Sequence, residues 1–256
     1  PHVLEVIFLD IGQGDATFIQ TPQGHQILID GGPDSSILEK LGREMPFWDR
    51  SIDLIILTHP HYDHLAGFIP ILKNYKVENI IWTGILIDST IFQEWERTIR
   101  IEGAKIYIAQ DGQKITAGKA TLAISHPFNN LENEKIRDQN IDETSLVLKV
   151  RFGENSFLFT GDAPKLIEKG LVERKIDLES TVLKIGHHGS KNSTAGDFIQ
   201  KVSPQIAVIS AGKNNKYGHP HQETLDTFNK YGIKIFRTDL QGDIKVFSDG
   251  DKIIIK

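Results

Sequence analysis

The stretch Leu57-Thr58-His59-Pro60-His61-Tyr62-Asp63-His64 puts three imidazoles and a carboxylate into one short loop. Neutral imidazole and carboxylate oxygen are ligands for zinc, manganese or iron, and such sites often keep a position for water. The loop directly follows Asp53-Leu54-Ile55-Ile56-Leu57, an apolar run that reads as a buried strand. Ligands at the end of such a strand are held by the sheet below and open above. The alternate residues His59 and His61 can project together from extended backbone, while Asp63 and His64 bend back from the turn that follows. Four ligand-type side chains exceed the usual need of a single ion, so the spacing predicts two.

Ligand-type residues recur at the ends of other predicted strands. Asp30 ends Ile27-Leu28-Ile29 and precedes Gly31-Gly32, where the backbone can pass close to a neighbour. Asp162 ends Phe157-Leu158-Phe159-Thr160-Gly161, and His187-His188-Gly189-Ser190 follows Val182-Leu183-Lys184-Ile185-Gly186. His219 and His221 follow the strand Ile206–Ser210 through a loop. Asp162 taken alone fits an N-cap of the next helix, with Pro164 in the first turn, as well as it fits a ligand. Recurrence at five strand ends predicts a shared crevice along a sheet edge.

The elements that must position these residues alternate along the chain. Strands are expected over Leu4–Asp10, Ala16–Thr21, Gln26–Asp30, Asp53–Leu57, Asn79–Thr83 and Lys105–Ala109. Helices are expected from His64 through Tyr75 and between Asp88 and Glu102, the latter closed by Gly103. Three strands follow, Lys119–Ser125, Ser145–Phe152 and Ser156–Thr160, with Asn129–Asn140 as an exposed polar loop. Helices Ala163–Arg174, Thr194–Val202 and Gln222–Tyr231 then alternate with strands Thr181–Ile185, Gln205–Ser210 and Ile233–Arg237. Strands Asp243–Phe247 and Lys252–Ile255 close the chain. Two similar halves of this kind predict an α/β fold of two sheets packed face to face, helices outside, in one domain over residues 1–256.

Composition sets the outer bounds. The 256 residues are 39% hydrophobic and 25% charged, ordinary for a globular domain. No apolar run approaches the roughly 18 residues of a membrane span. The chain opens at Pro1 without an initiator Met, from which an excised domain or processed product is expected, its parent able to hold membrane segments. Cysteine is absent, which excludes disulfides, thiolate zinc sites and cysteine nucleophiles. The net charge of −5 argues against a protein that simply coats nucleic acid. Residues 181–237 nevertheless carry eight Lys/Arg against three acids, enough for a local basic rim.

His59-x-His61-x-Asp63-His64, with Asp30 before it and Thr160-Gly161-Asp162 after it, resembles the metallo-β-lactamase superfamily over the whole chain. Four segments are similar to the hydrolase (nuclease) domain of ComEC-type DNA-uptake, or competence, proteins. They are Phe8-Leu9-Asp10-Ile11-Gly12-Gln13-Gly14-Asp15-Ala16, Phe159-Thr160-Gly161-Asp162-Ala163, Leu183-Lys184-Ile185-Gly186-His187-His188-Gly189-Ser190 and Tyr217-Gly218-His219-Pro220-His221. The resemblance implies a four-layer αββα sandwich with its metal site at one edge of the two sheets. In full-length members this domain accompanies a membrane channel, which implies an extracytoplasmic or membrane-associated place through the parent. Stand-alone secreted relatives share the motifs.

Carried over residue by residue, the resemblance gives His59 and His61 to metal one, Asp63 and His64 to metal two, and Asp162 to both. His219 takes the place of the last histidine of metal two, and Asp30 braces the loop. The superfamily usually supplies a third histidine to metal one before the strand Ser145–Phe152. This chain has Asn140-Ile141-Asp142-Glu143-Thr144 there, so an oxygen ligand such as Asp142 is expected. His126, in a His-Pro turn, is the weaker substitute. Fewer nitrogen ligands favour Mn²⁺ over Zn²⁺.

Asp63 is expected to orient or deprotonate the water. One of His187 and His188 would contact phosphate or protonate the leaving oxygen. Lys184, Ser190 and Lys191 are expected at the substrate. The leading expectation is a two-metal phosphodiesterase acting on DNA, single-stranded in particular. Two alternatives stay open: a secreted phosphoesterase of a small or cell-envelope phosphodiester, as choline-phosphate esterases share a similar His-His-Gly segment, and a non-catalytic DNA-handling module.

Overall fold

The first half of the chain builds most of one sheet. Strands β1 (Leu4–Phe8), β2 (Thr17–Gln20) and β3 (Gln26–Ile29) form an antiparallel meander. Strands β4 (Ser51–Ile56), β5 (Lys76–Trp82) and β6 (Lys105–Ile108) extend it in parallel from β3. Their crossovers carry helices α1 (Ser36–Glu44), α2 (Tyr62–Leu65), α3 (Phe68–Asn74) and α4 (Thr90–Glu102). This is a computed structural model, and it describes residues 3–256; Pro1, on which the expectation of an excised domain rests, lies outside the described residues together with His2.

The second sheet repeats the plan. Strands β7 (Lys114–Ala117), β8 (Ala120–His126), β9 (Val147–Phe152) and β10 (Asn155–Phe159) are antiparallel. Strands β11 (Val182–Lys184), β12 (Ile206–Ile209) and β13 (Lys234–Arg237) then run parallel to β10. Helices α5 (Lys165–Glu173), α6 (Gly196–Val202) and α7 (Gln222–Lys230) link them. After the short α8 (Thr238–Gln241) the chain returns to the first sheet, where β14 (Ile244–Ser248) pairs with β1 and β15 (Ile253–Ile255) with β14.

Strand side chains sort by the period of two. Leu4, Val6 and Phe8 of β1 meet Leu148, Val150, Phe157 and Phe159 of the second sheet in a central core. Ile7, Ile55 and Leu57 face the other way, against Leu41, Phe68, Phe92 and Trp95 of the helices. Leu158 and Leu183 likewise meet Leu171, Phe198 and Phe228. The central strands are buried on both faces, hence their unbroken apolar runs. Each such side chain contributes roughly 1.5–3 kcal/mol on burial. The outcome is the four-layer αββα sandwich.

Three elements were not expected from the sequence. Helix α1 buries Ile37 and Leu41, one turn apart, but Gly42 and a short span blur its pattern. Strand β7 is an edge strand with only Ala117 buried. Helix α8 is a single turn. The one helix expected from His64 through Tyr75 is two, because Gly67 crosses the Asp30-Gly31-Gly32 turn. Gly31 N donates to His64 O at 2.7 Å and Gly67 N to Gly32 O at 2.9 Å. A Cβ on Gly67 would sit 1.9 Å from Gly31 O. The loop Asn129–Asn140 is largely exposed as expected, yet it docks by backbone, with Asn133 N on Gly84 O and Ile136 N on Leu86 O, both at 2.9 Å.

Two predictions follow from this packing. Gly67→Ala should lower stability by about 3 kcal/mol or more, since backbone rather than a flexible side chain must move; chemical denaturation measures it. The buried Glu168 of α5 accepts from Thr194 N at 2.6 Å and Ala195 N at 2.7 Å, capping the start of α6. Burial raises its pKa to about 7 despite those two bonds. The folded state therefore keeps a proton that the unfolded chain releases above about 4.5, and unfolding free energy should fall between pH 4.5 and 7, on the order of 3 kcal/mol in all. Denaturant titrations across that range should show the slope, and Glu168→Gln should flatten it.

Candidate metal centre

Parallel strands of both sheets deliver ligand-type residues to the same edge of the sandwich. Asp30 follows β3, His59 and His61 follow β4, Asp162 follows β10, and His187-His188 follows β11. His59, His64, Asp162 and His188 are buried, while His61, Asp63, Asp142 and His187 are half-buried at the rim.

Asp162 sits in the middle. Its Oδ2 lies 3.8 Å from His59 Nε2, 3.6 Å from His188 Nε2 and 3.9 Å from His187 Nε2, and its Oδ1 lies 3.5 Å from His64 Nε2. Two side-chain groups flank it. In one, His59 Nε2 and His61 Nδ1 are 3.1 Å apart and Asp142 Oδ1 is 3.8 Å and 3.0 Å from them. In the other, His188 Nε2 is 3.2 Å from Asp63 Oδ2, with the His64 ring 5.4 Å from that of His188. Asp162 is not a helix cap; the N-cap of α5 is Pro164.

The donor set fits divalent cations. His64 Nε2, His188 Nε2, Asp142 Oδ1 and Asp162 Oδ1 are buried without a hydrogen-bond partner. Each such atom costs about 1–3 kcal/mol left unpaired, and here they converge. His59-His61-Asp142, His59-His64-Asp162 and Asp63-His64-His188 each bring three potential ligand atoms within 4.8 Å of one another.

A layer of bonds behind these atoms fixes them. Asp30 Oδ2 accepts from His64 Nδ1 at 2.8 Å and Thr58 Oγ1 at 2.7 Å, and its Oδ1 accepts from Thr58 N at 2.8 Å. His188 Nδ1 reaches Ser210 O at 3.0 Å and Asp15 Oδ1 at 3.2 Å. Gly14 lies so close to Asp63 that a Cβ would be 2.3 Å from Asp63 O. Asp30, His187 and His188 all take positive φ, 59°, 47° and 53°, a local strain tolerated because these bonds over-determine it.

The charges report the same convergence. Burial works against an ionised Asp162, but His64 and His188 hold its pKa well below the usual range. Burial and neighbouring imidazolium push His59 well down. His64 is pushed well up and His188 up to about 10, since Asp162 with Asp30 or Asp15 outweighs burial. The protein alone thus balances its carboxylates with protons on His64 and His188. A cation at the same place would displace those protons.

Three expected site residues are placed differently from the sequence expectation. His219, expected to close metal two, has its ring 5.5 Å from that of His187 and 6.2 Å from that of His188, with Nδ1 buried and unpaired, while His188 Nε2 faces Asp63 and Asp162 more directly. Lys184, expected at the substrate, is buried, with Nζ 2.7 Å from Asp15 Oδ2 and 3.0 Å from Ile185 O. Ser190 is buried too, and its Oγ accepts from Asn192 N. Lys191 does stand exposed at the rim. Asp15 was visible only as part of a motif; its partners come from the other sheet, which local spacing does not reveal. His126 is occupied elsewhere, its Nδ1 2.7 Å from Ser145 O. A cavity of about 660 Å³ lined by His25, Asp53, Glu78 and Tyr107 opens at the opposite end of the strands, away from this centre.

Fold and site define a metal-dependent hydrolase of the metallo-β-lactamase fold. The model of the beta-lactamase superfamily domain matches residues 25–198, and the chain belongs to that family. Its relatives include proteins of the ComEC type. It is 33% identical to ComE operon protein 3 of Bacillus subtilis (strain 168), over 94% of this chain and 32% of that protein. It is 31% identical to competence protein ComA of Neisseria gonorrhoeae, over 92% of this chain and 31% of that protein. The chain therefore spans about a third of the length of these curated relatives. In structure it is similar to the metallo-beta-lactamase fold protein YhfI from Bacillus subtilis, with a TM-score of 0.58 and 15% identity over 91% of this chain and 96% of that one. Among the described residues no helix is long and apolar enough to cross a membrane.

The Lys184–Asp15 pair yields a direct expectation. Asp15 is held down to about 2, because Lys184 and His188 outweigh burial. Lys184→Met strands that buried carboxylate and should cost about 3–5 kcal/mol of stability, read by denaturation. Were Lys184 a surface phosphate contact, the loss would be near zero.

Proposed function

We propose that this chain is a two-metal phosphodiesterase acting on DNA, single-stranded in particular, as the hydrolase part of a larger membrane-associated protein. The observation that carries the metal count is the paired donor set around Asp162: His59, His61 and Asp142 on one side, and Asp63, His64 and His188 on the other. Asp162 serves both. Asp142 standing where a nitrogen would otherwise be favours Mn²⁺ over Zn²⁺. When bound, such ions supply positive charge that lowers the pKa of water and neutralises a phosphate.

The chain's own residues do the rest. Asp30 pairs with His64 Nδ1 and the Ser210 carbonyl with His188 Nδ1, with the Asp15 carboxylate beside the latter, which fixes both ring orientations and tautomers. Asp63, half-exposed at the mouth, orients the attacking water and takes its proton. His187 has solvent access and an Asp142 Oδ2 at 3.3 Å from Nδ1, leaving Nε2 to give a proton to the departing oxygen. Exposed Lys191, Lys213 and Lys216 line the same edge and meet the phosphates of a strand. DNA as substrate is supported by the competence-protein relatives together with this basic rim.

Two measurements test the reading. With Mn²⁺ the protein should degrade single-stranded oligonucleotides, and His59→Ala should lose at least about 100-fold in turnover; DNA left intact with Mn²⁺, Zn²⁺ and Mg²⁺ alike would overturn it. Metal analysis should find two ions per chain, falling to one in Asp142→Ala and in His188→Ala but staying at two in His219→Ala. Loss of an ion in His219→Ala instead would restore His219 to the ligand set.

A further inference from the structure

We propose that Tyr62 and Tyr217 are stacking surfaces on the two sides of the metal centre, holding unpaired bases that flank the scissile phosphate and so selecting a single strand. The proposal rests on the nuclease reading above for the phosphate between them, but each ring's role in holding bases is a matter of binding.

The side chains of the metal centre are buried or half-buried, yet two large aromatic rings beside it stand exposed, Tyr62 at 59% and Tyr217 at 53%. The exposed pair Phe47 and Trp48 lies before β4, at the other end of the strands. Tyr62 projects from between His61 and Asp63, on the first turn of α2. It has no aromatic partner among the described residues. Tyr217 comes from the other sheet, on the loop after β12. The centre lies between them, since His64 of the first loop neighbours His188, and His188 neighbours His219 beneath Tyr217.

The Tyr217 ring is presented rigidly. It stacks on the His219 ring at 5.7 Å with an interplanar angle of 23°. Asn215 pins the loop that carries both: its Oδ1 accepts from Tyr217 N at 3.1 Å and His219 N at 3.0 Å, and its Nδ2 donates to Gly212 O at 2.9 Å and His219 O at 2.6 Å. Gln13 Oε1 ties the same loop to the first sheet by accepting from Gly212 N at 3.0 Å. A ring fixed in advance loses little freedom when a base settles on it. Lys216 Nζ lies 5.0 Å from the Tyr217 centroid, where a lysine can yield the face to a base and meet the adjoining phosphate. His219 thereby gains a role as the backing of that ring. Paired bases within a duplex already cover one another's faces and cannot lie on such surfaces.

The test measures fluorescence anisotropy of a labelled, phosphorothioate-linked oligothymidine and of the same backbone without bases, in Mn²⁺. The wild-type protein should bind the base-bearing strand roughly 5- to 100-fold more tightly. Tyr62→Ala and Tyr217→Ala should each lose most of that ratio, and Tyr217→Trp should keep it. The same ratio in wild type and in both alanine variants, or no ratio in the wild type, overturns the proposal. In cleavage assays the alanine variants should raise KM far more than they lower kcat. If the nuclease reading fails, DNA stays intact while the binding ratio persists; if the stacking proposal fails, turnover persists without the ratio.

Discussion

The Asp162 carboxylate is where the two sheets hold one another's chemistry. It is buried, and four imidazoles from two separate loops lie within 3.5–3.9 Å of it. A carboxylate in that position is tolerated only with positive charge beside it. The surrounding groups are nitrogen and oxygen atoms whose partners are missing from the protein itself. Divalent metal bound among them would offset the desolvation of all of them at once. The bracing carboxylates, the glycine crossings and the strained backbone of the histidine loop serve to keep these atoms converged.

Topology explains how residues far apart in sequence reach that point. In each sheet an antiparallel meander leads into parallel strands, and parallel strands all end at one edge. Packing the sheets face to face sets those edges side by side. The loops leaving them must then turn sharply against one another, which is why Gly31 meets Gly67 and Gly14 meets Asp63 at distances no Cβ would allow. Three residues at positive φ cost on the order of 1–3 kcal/mol each. The hydrogen bonds of Asp30 and His188 offset part of that cost, so the strain is held where the ligand atoms must point.

The layers and most strands were legible because period-two alternation and continuous apolar runs survive in any context. What escaped was short or at an edge: β7 and α8 bury too little to leave a pattern. In the centre, the residues of the Thr58–His64 loop were legible because local spacing alone sets their geometry. The relation of His188 to His219 was not, since both follow parallel strands of one sheet and only packing tells which ring reaches Asp63. Lys184 misled for the same reason. A lysine beside a glycine-histidine loop looks like a phosphate contact, but strand alternation turns it inward, where Asp15 from the other sheet awaits it.

That inward turn has a consequence for how the site is charged. With Lys184 neutralised by Asp15, among the described residues no lysine ammonium or arginine guanidinium enters the ring of carboxylates around Asp162. Positive charge in the interior must come from protons on His64 and His188 or from cations that replace them. The lysines that remain, at positions 191, 213 and 216, stand in solvent, where their attraction is screened over about 10 Å. The two kinds of positive charge therefore divide the work. On the proposed phosphodiesterase reading, interior cations would act on the one phosphate that enters the crevice, and the rim would draw a polyanion toward it.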